Sequence, residues 1–350
     1  MTRHDDGPGP RAPGEADAEK LLAIIHASWM AQAACAAAEL GIADLLADGP
    51  RRSDELAAAA GCHAASLERL MRALCSLELC RSRADDRYEL TAMGALLRAD
   101  APDSLRAWTI WWGSQLWPVW GRLSYSIRTG KPARPLVTGM KGFEHVQQDA
   151  AVAALFNDAM AQLTRLVARA VVHSYDFSGL RRIVDVGGGQ GEMLSAVLRA
   201  HPVLCGVLFD LPHAIRSAQG HLERAGVADR CELVAGNFFE SVPHGGDAYL
   251  LKSVIDDWDD GQAAAILANC RRAMPDGARL LLIEPLMPAA AGTTPFHATM
   301  ARVDLSMLVI HGARERTETE LRALLGNAGL RVERILPTGT NYSIIETLRA

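Results

Sequence analysis

Two stretches of this 350-residue chain hold residues whose types and spacing can do chemistry. The first is VDVGGGQGE, Val184–Glu192. Glycines there let the backbone turn sharply and approach a ligand closely at the start of a helix. Gly187, Gly189 and Gly191 are spaced G-x-G-x-G, and the dinucleotide fingerprint would need a glycine where Glu192 stands, so a nicotinamide cofactor is disfavoured. Asp185 sits just inside the end of the apolar run that leads into the loop. Asp210 closes the next apolar run, in position to accept both hydroxyls of a ribose. Gly236-Asn237-Phe238 closes the third, placed against an adenine edge and face. The second stretch is LKSVIDDWDD, Leu251–Asp260, where Lys252 precedes the adjacent carboxyls Asp256 and Asp257 and the indole of Trp258.

These residues need elements to hold them. From Arg182 onward, short apolar runs (RIVDVG, CGVLFD, CELVAG, AYLLKS, RLLLIEP, VERILPT and YSIIETL) alternate with helical patterns. Near-continuous apolar runs separated by helices predict an α/β domain whose parallel sheet is covered on both faces. The last two runs follow one another closely, which predicts an antiparallel hairpin at one edge. Upstream, residues 18–105 read as helical. One amphipathic helix begins around Leu21, Leu22, Ile24 and Ile25, and Glu39–Leu46 reads as the end of another. A short helix runs from Ser53 to Gly61 and a second from Ala65 to Leu79, followed by two β-like runs about the turn Ala84-Asp85-Asp86. That is a winged-helix arrangement. Its second helix carries Arg69 and Arg72 but also Glu68 and Glu78, with no basic cluster to read DNA. Residues 106–180 form a helical connection, and its Trp-rich run Trp108–Trp120 suits an aromatic pocket. Residues 1–17, rich in Gly and Pro, read as a disordered tail.

A formal charge of −5 gives no general footprint for nucleic acid. Seven cysteines without a CxxC or a Cys/His ladder argue against a metal site and fit a reducing cytoplasm. No uninterrupted apolar run reaches the ~18 residues of a membrane span, and no signal peptide is evident.

Taken together the pattern resembles class I S-adenosylmethionine-dependent methyltransferases, and more narrowly the O-methyltransferases of plant phenylpropanoid and bacterial polyketide tailoring. The resemblance spans nearly the whole chain: FNDAM at Phe156–Met160, VDVGGGQG, FDLPH at Phe209–His213, LKSVIDDWDD, AMPDGARLLLIEPLMP and GARERT at Gly312–Thr317. It implies a Rossmann-like, mostly parallel seven-stranded sheet behind a winged-helix-like dimerisation domain, with residues 181–350 binding S-adenosylmethionine. It further implies a homodimer and a small aromatic or heteroaromatic substrate, with no nucleic acid or membrane partner. By the resemblance, Asp185, Gly187, Gly189, Asp210, Leu211, Asn237, Phe238 and Lys252 hold the cofactor, and Trp258 stacks near the adenine. Phe156, Met160, Trp112 and Met307 are assigned to the substrate.

One position departs from the family. Its block reads L-K-x-x-x-H-D-W-D-D, with the His as general base, and here that position is Asp256. Asp257, Glu284 and Glu315 keep the acidic frame that flanks the base in relatives, so Asp256, Asp257, Glu284 and Glu315 are the catalytic candidates. A carboxylate near pKa 3.9 facing a phenol near 10 lies ~6 units away, roughly 8 kcal/mol. Three readings therefore stay open. One is O-methylation of a more acidic hydroxyl, N-hydroxy group or carboxylate. The second is N-methylation of an amine or ring nitrogen in the acidic pocket. The third is a non-methylating relative that retains the cofactor.

Overall fold

The computed structural model describes residues 14–140 and 143–350. The tail expected over 1–17 lies outside these residues as far as position 13, and Gly14 leads directly into a helix. The chain divides into two compact units, one ending at Gly113 and the other running from Ser114 to Ala350.

In the first unit, Glu15–Glu39 is one continuous helix of 25 residues, where two were expected. No breaker occurs within its Ala-rich second half. Gly41, at φ 65°, ends it and leads into the single turn Ile42–Leu45. Apolar side chains point outward around this helix: Ile24 is 73% exposed and Trp29 66%. Over Ala16–Glu39 it is long and apolar enough to cross a membrane by length and composition alone. The expectation of no such stretch counted uninterrupted apolar runs, and His26, Ser28 and Gln32 interrupt this one. Helices Ser53–Ala60 and Ala64–Ser76 follow, the first ended by Gly61 at φ 65° as its position predicts. A three-stranded antiparallel wing forms from β1 (Arg51–Arg52), β2 (Cys80–Ser82) and β3 (Arg87–Leu90), in the order β1-β3-β2. Leu56, Leu67, Met71 and Leu74 close its core against Ile42 and Tyr88.

The second unit is built on β4 (Arg182–Val186), β5 (Cys205–Asp210), β6 (Cys231–Ala235), β7 (Ala248–Lys252), β8 (Arg279–Pro285), β9 (Leu330–Pro337) and β10 (Tyr342–Arg349). Their order is β6-β5-β4-β7-β8-β10-β9, with β10 antiparallel to both neighbours and the other pairings parallel. This is the expected Rossmann-like sheet. The hairpin forms, but β10 slots between β8 and β9, Ile345 lying opposite Leu282 and Ile335. Adjacent residues on a strand bury on opposite faces. Val184, Leu251 and Leu282 join one core, while Ile183, Leu250 and Leu281 join the other. Burial on both faces is what makes these strands read as unbroken apolar runs. The helix Ala150–Ser174 contributes Val167, Ala168 and Val171 to the second core. Its start is capped by Asp149, which accepts from the backbone N–H of Ala151 (2.8 Å) and Val152 (3.2 Å). From β4 the chain builds outward through β5 and β6, then crosses to β7 on the other side. The strand order therefore reverses at β4, and the crevice beyond the strand ends there is where ligands of such sheets sit.

Candidate active site

A cavity of about 570 Å³ opens at that crevice, within the size range of small-molecule sites. Its floor is the glycine loop after β4. Gly187 and Gly189 take φ of 72° and 60°, values that a side chain disfavours. Gly188 is needed for space: a Cβ there would lie 2.5 Å from Asp185 Oδ2 and 2.5 Å from Leu208 Cδ1. Gly188→Ala is accordingly expected to cost about 2 kcal/mol of stability by overpacking, checked by urea unfolding. A cost below about 0.5 kcal/mol would mean that the loop yields.

Asp210, at the end of β5, clamps this loop. Its Oδ2 accepts from Gly189 N–H (2.7 Å) and its Oδ1 from Leu211 N–H (2.6 Å). Burial raises its pKa, and these two hydrogen bonds work against the rise. Asp185 is 1% exposed, and burial, then the Asp210 charge, push it up to about 7. Its Oδ2 is buried without a hydrogen-bond partner. An orphaned acceptor behind a cradle that excludes Cβ atoms suits a polar ligand. Asn237 Oδ1 accepts from Phe239 N–H (3.0 Å) at the end of β6, which fixes the turn carrying Phe238. Phe238 and Phe239 meet Trp258 edge-on, with centroids 5.9 and 4.7 Å apart. Asp185, Gly187, Gly189, Asp210, Leu211, Asn237, Phe238, Lys252 and Trp258 all line the cavity. Among the described residues, no group of His, Cys, Asp or Glu gathers to hold a metal ion.

The acidic block sits on a turn held from several sides. Ser253 adopts φ 50°, left-handed for a non-glycine residue. Such a conformation costs roughly 1–2 kcal/mol. Its N–H donates to Ile283 O (3.1 Å) and its Oγ lies 3.2 Å from the Tyr342 hydroxyl. Glu284 Oε1 accepts from Val254 N–H and Ile255 N–H, both at 3.2 Å, so Glu284 holds the backbone of the turn. The buried Arg316 guanidinium donates to Ile255 O and Trp258 O, both at 2.8 Å, and to Asp260.

Of the four acids expected to act, only Asp257 lines the cavity. Asp256 Oδ1, Glu284 Oε2 and Glu315 Oε1 are buried without hydrogen-bond partners. Burial raises the pKa of all four acids, Glu315 to about 9, and like charge within the group adds to the rise at Asp257, Glu284 and Glu315. Phe156 and Met160, on the helix Ala150–Ser174, line the cavity. Met307 is half-buried on the helix Pro295–His311 and does not. Trp112 belongs to the N-terminal unit, in the π-helical segment Trp111–Leu116, and is not a lining residue.

Three residues here escaped the sequence reading. His311 Nε2 lies 3.3 Å from Asp257 Oδ1. Phe143 lines the cavity and packs on the imidazole of His311, with centroids 5.1 Å apart. Arg134 is 3% exposed, and burial brings its pKa down to about 10 against the opposing pull of Asp257. The available signal for His311 was its place at the end of an apolar helix, directly before the GARERT segment.

The chain matches the O-methyltransferase domain over residues 120–331 and the O-methyltransferase dimerisation domain over 22–100. It is 40% identical over 326 residues to the phenazine O-methyltransferase PhzM of Lysobacter antibioticus, covering 93% of this chain and 94% of that one. It is 38% identical to the mitomycin biosynthesis 6-O-methyltransferase of Streptomyces lavendulae, covering 99% and 98%. Among solved structures, a neocarzinostatin-biosynthesis O-methyltransferase in complex with S-adenosylmethionine and 2-hydroxy-5-methyl naphthoic acid aligns with a TM-score of 0.77 at 35% identity, covering 91% of this chain and 96% of that one.

Proposed function

From the premise that the chain belongs to the S-adenosylmethionine-dependent O-methyltransferase family, we propose how its residues divide the work of methylating a hydroxyl on a small aromatic secondary metabolite. S-adenosylmethionine, when bound, supplies an electrophilic methyl group on a sulfonium. Asp210 receives the ribose hydroxyls, and the Gly187–Gly189 loop gives backbone the close approach. Asn237, Phe238 and Trp258 enclose the adenine, while Asp185 and Lys252 border the remaining polar part. Phe143, Phe156 and Met160 hold the flat face of the acceptor. Asp257 accepts the hydrogen bond of the reacting hydroxyl. Asp256, Glu284 and Glu315 stand behind it, and Asp257's own burial together with the Asp256 charge makes it a stronger base than an exposed aspartate.

The observation that carries this reading is that the Asp210 clamp and Asp257 line the same cavity. An amine or ring nitrogen is the second acceptor class, and the same acids bear on it. Burial and neighbouring like charge raise the pKa of Glu284 and Glu315, which makes the frame less anionic than four ionised carboxyls and lessens its attraction for a cationic amine.

We assign dimerisation to the N-terminal unit, the acceptor pocket to the part of the 106–180 connection that carries Phe143, Phe156 and Met160, and cofactor binding to residues 181–350. The exposed apolar face of the Glu15–Glu39 helix then packs on a second copy, and the setting is cytoplasmic biosynthesis. The test is a panel of phenols of graded acidity, N-heterocycles and amines, read by S-adenosylhomocysteine release and product mass. O-methylated products are expected, with turnover rising as the hydroxyl becomes more acidic. Exclusive N-methylation would overturn the oxygen reading. Absence of turnover despite tight S-adenosylhomocysteine binding would overturn methyl transfer altogether.

A further inference from the structure

We propose that Asp257 and His311 form one proton-accepting unit, in which Asp257 at the cavity wall takes the acceptor's hydroxyl proton and His311 behind it stores the charge. The inference rests on the O-methyl-transfer reading above and concerns how this chain manages without a histidine at position 256.

The geometry places the two side chains together from different elements. Asp257 closes the 3-10 turn Ile255–Asp257, and His311 is the last residue of the helix Pro295–His311. Nε2 faces Oδ1 at 3.3 Å, and the two side chains are 11% and 23% exposed. Phe143 covers the imidazole, so the pair is shielded from water while its carboxyl side reaches the cavity. The order is the reverse of a serine-protease triad, where the imidazole faces the substrate and the carboxylate stands behind.

The surrounding charges make the pair share its protons. His311 faces Asp257, with Arg134 and His145 near it, and burial together with those two groups holds its pKa well below the usual histidine value. Asp257 feels Asp256 and Glu315 on one side and Arg134 and Lys252 on the other, and burial with the Asp256 charge holds it well above the carboxylate range. In the proposed unit the pair holds one proton at rest between Asp257 Oδ1 and His311 Nε2, the two atoms that face each other at 3.3 Å. In the transfer the acceptor oxygen would bond to the methyl carbon as the methyl–sulfur bond breaks with its pair staying on sulfur, and the O–H pair would stay on oxygen as the proton leaves. The proton passes to Asp257, and the proton Asp257 already shares moves onto His311 Nε2. The pair goes from one proton to two, and the positive charge that leaves the sulfonium reappears on the imidazolium. The proton thus comes to rest on His311, whose depressed basicity favours an acceptor hydroxyl more acidic than an ordinary phenol.

Two measurements on the full-length protein test this. First, nitrogen NMR of the His311 ring in the unliganded protein is expected to show the Nε2 resonance shifting with Asp257→Asn. An unchanged Nε2 resonance overturns the pairing. Second, kcat/KM is measured against pH with the phenol that turns over fastest in the panel. The wild type is expected to rise with pH to a plateau as the pair sheds its second proton. His311→Gln is expected to lose about 100-fold or more at pH 7, in the range typical of acid–base catalysis. Its remaining activity then climbs tenfold per pH unit toward the phenol's own pKa, about 10. A loss under threefold, or one of equal size at every pH, overturns the proposal. His311→Asn, together with an S-adenosylhomocysteine Kd within twofold of wild type, shows that neither variant acts by misfolding. If no acceptor turns over, methyl transfer itself falls and this proposal falls with it. Turnover with a pH-independent loss removes this proposal alone.

Discussion

Replacing Asp210 with alanine is expected to weaken S-adenosylhomocysteine binding by at least about 100-fold, measured by titration calorimetry. The carboxylate does two jobs at once. It accepts from Gly189 N–H at 2.7 Å and Leu211 N–H at 2.6 Å, which sets the curve of the glycine loop. It also faces the cavity, where lone pairs not used by those donors receive ligand hydroxyls. Hydrogen bonds to a charged group contribute about 1.5–3 kcal/mol each. Losing two gives roughly 3–6 kcal/mol, and each 1.4 kcal/mol is tenfold in affinity. Asp210→Asn retains one acceptor oxygen and is expected to fall between wild type and alanine. An alanine variant that binds within about threefold of wild type would show that the ribose is held elsewhere.

Arg316→Met is expected to lower the unfolding midpoint of the protein by several degrees, with a stability loss of about 3 kcal/mol. The guanidinium is 5% exposed and donates to two backbone carbonyls on the turn that carries Asp256 and Asp257. Methionine fills similar volume but leaves Ile255 O and Trp258 O without that donor, at about 1–3 kcal/mol for each buried group left unsatisfied. For a unit of this size about 2–4 °C follows per kcal/mol. Asp260, at the far side of the guanidinium, is 60% exposed, so its ion pair adds little to the total. Differential scanning calorimetry reads the shift. A change below 2 °C would mean that the turn is held by Glu284 alone, through its bonds to Val254 and Ile255.

The cofactor half of the site was legible along the chain because each of its parts is local. The glycine loop, the Asp210 that clamps it and the Asn237-Phe238 turn each follow a strand directly, and a strand end is visible as the end of an apolar run. The acidic half was legible only as a list of carboxyls. Glu284 reads in the sequence like a partner of the base, but its Oε1 is taken up by two backbone N–H groups. Trp112 and Met307 were assigned by composition and resemblance, yet an apolar residue type does not specify which side of its helix meets a pocket. The two-residue strand β1, Arg51–Arg52, has no apolar alternation to reveal it.

By itself the sequence determined the class of fold, the cofactor loop and its aspartate, and the departure at position 256. Those depend on spacing within one strand–turn–helix unit, which the covalent chain imposes directly. Tertiary structure alone decided that β10 enters between β8 and β9, that one acid of four reaches the cavity, and that His311 stands against Asp257. Each of these joins segments distant along the chain, and their meeting is set by how the buried faces of the sheet and helices pack, a property that no single stretch of residues carries.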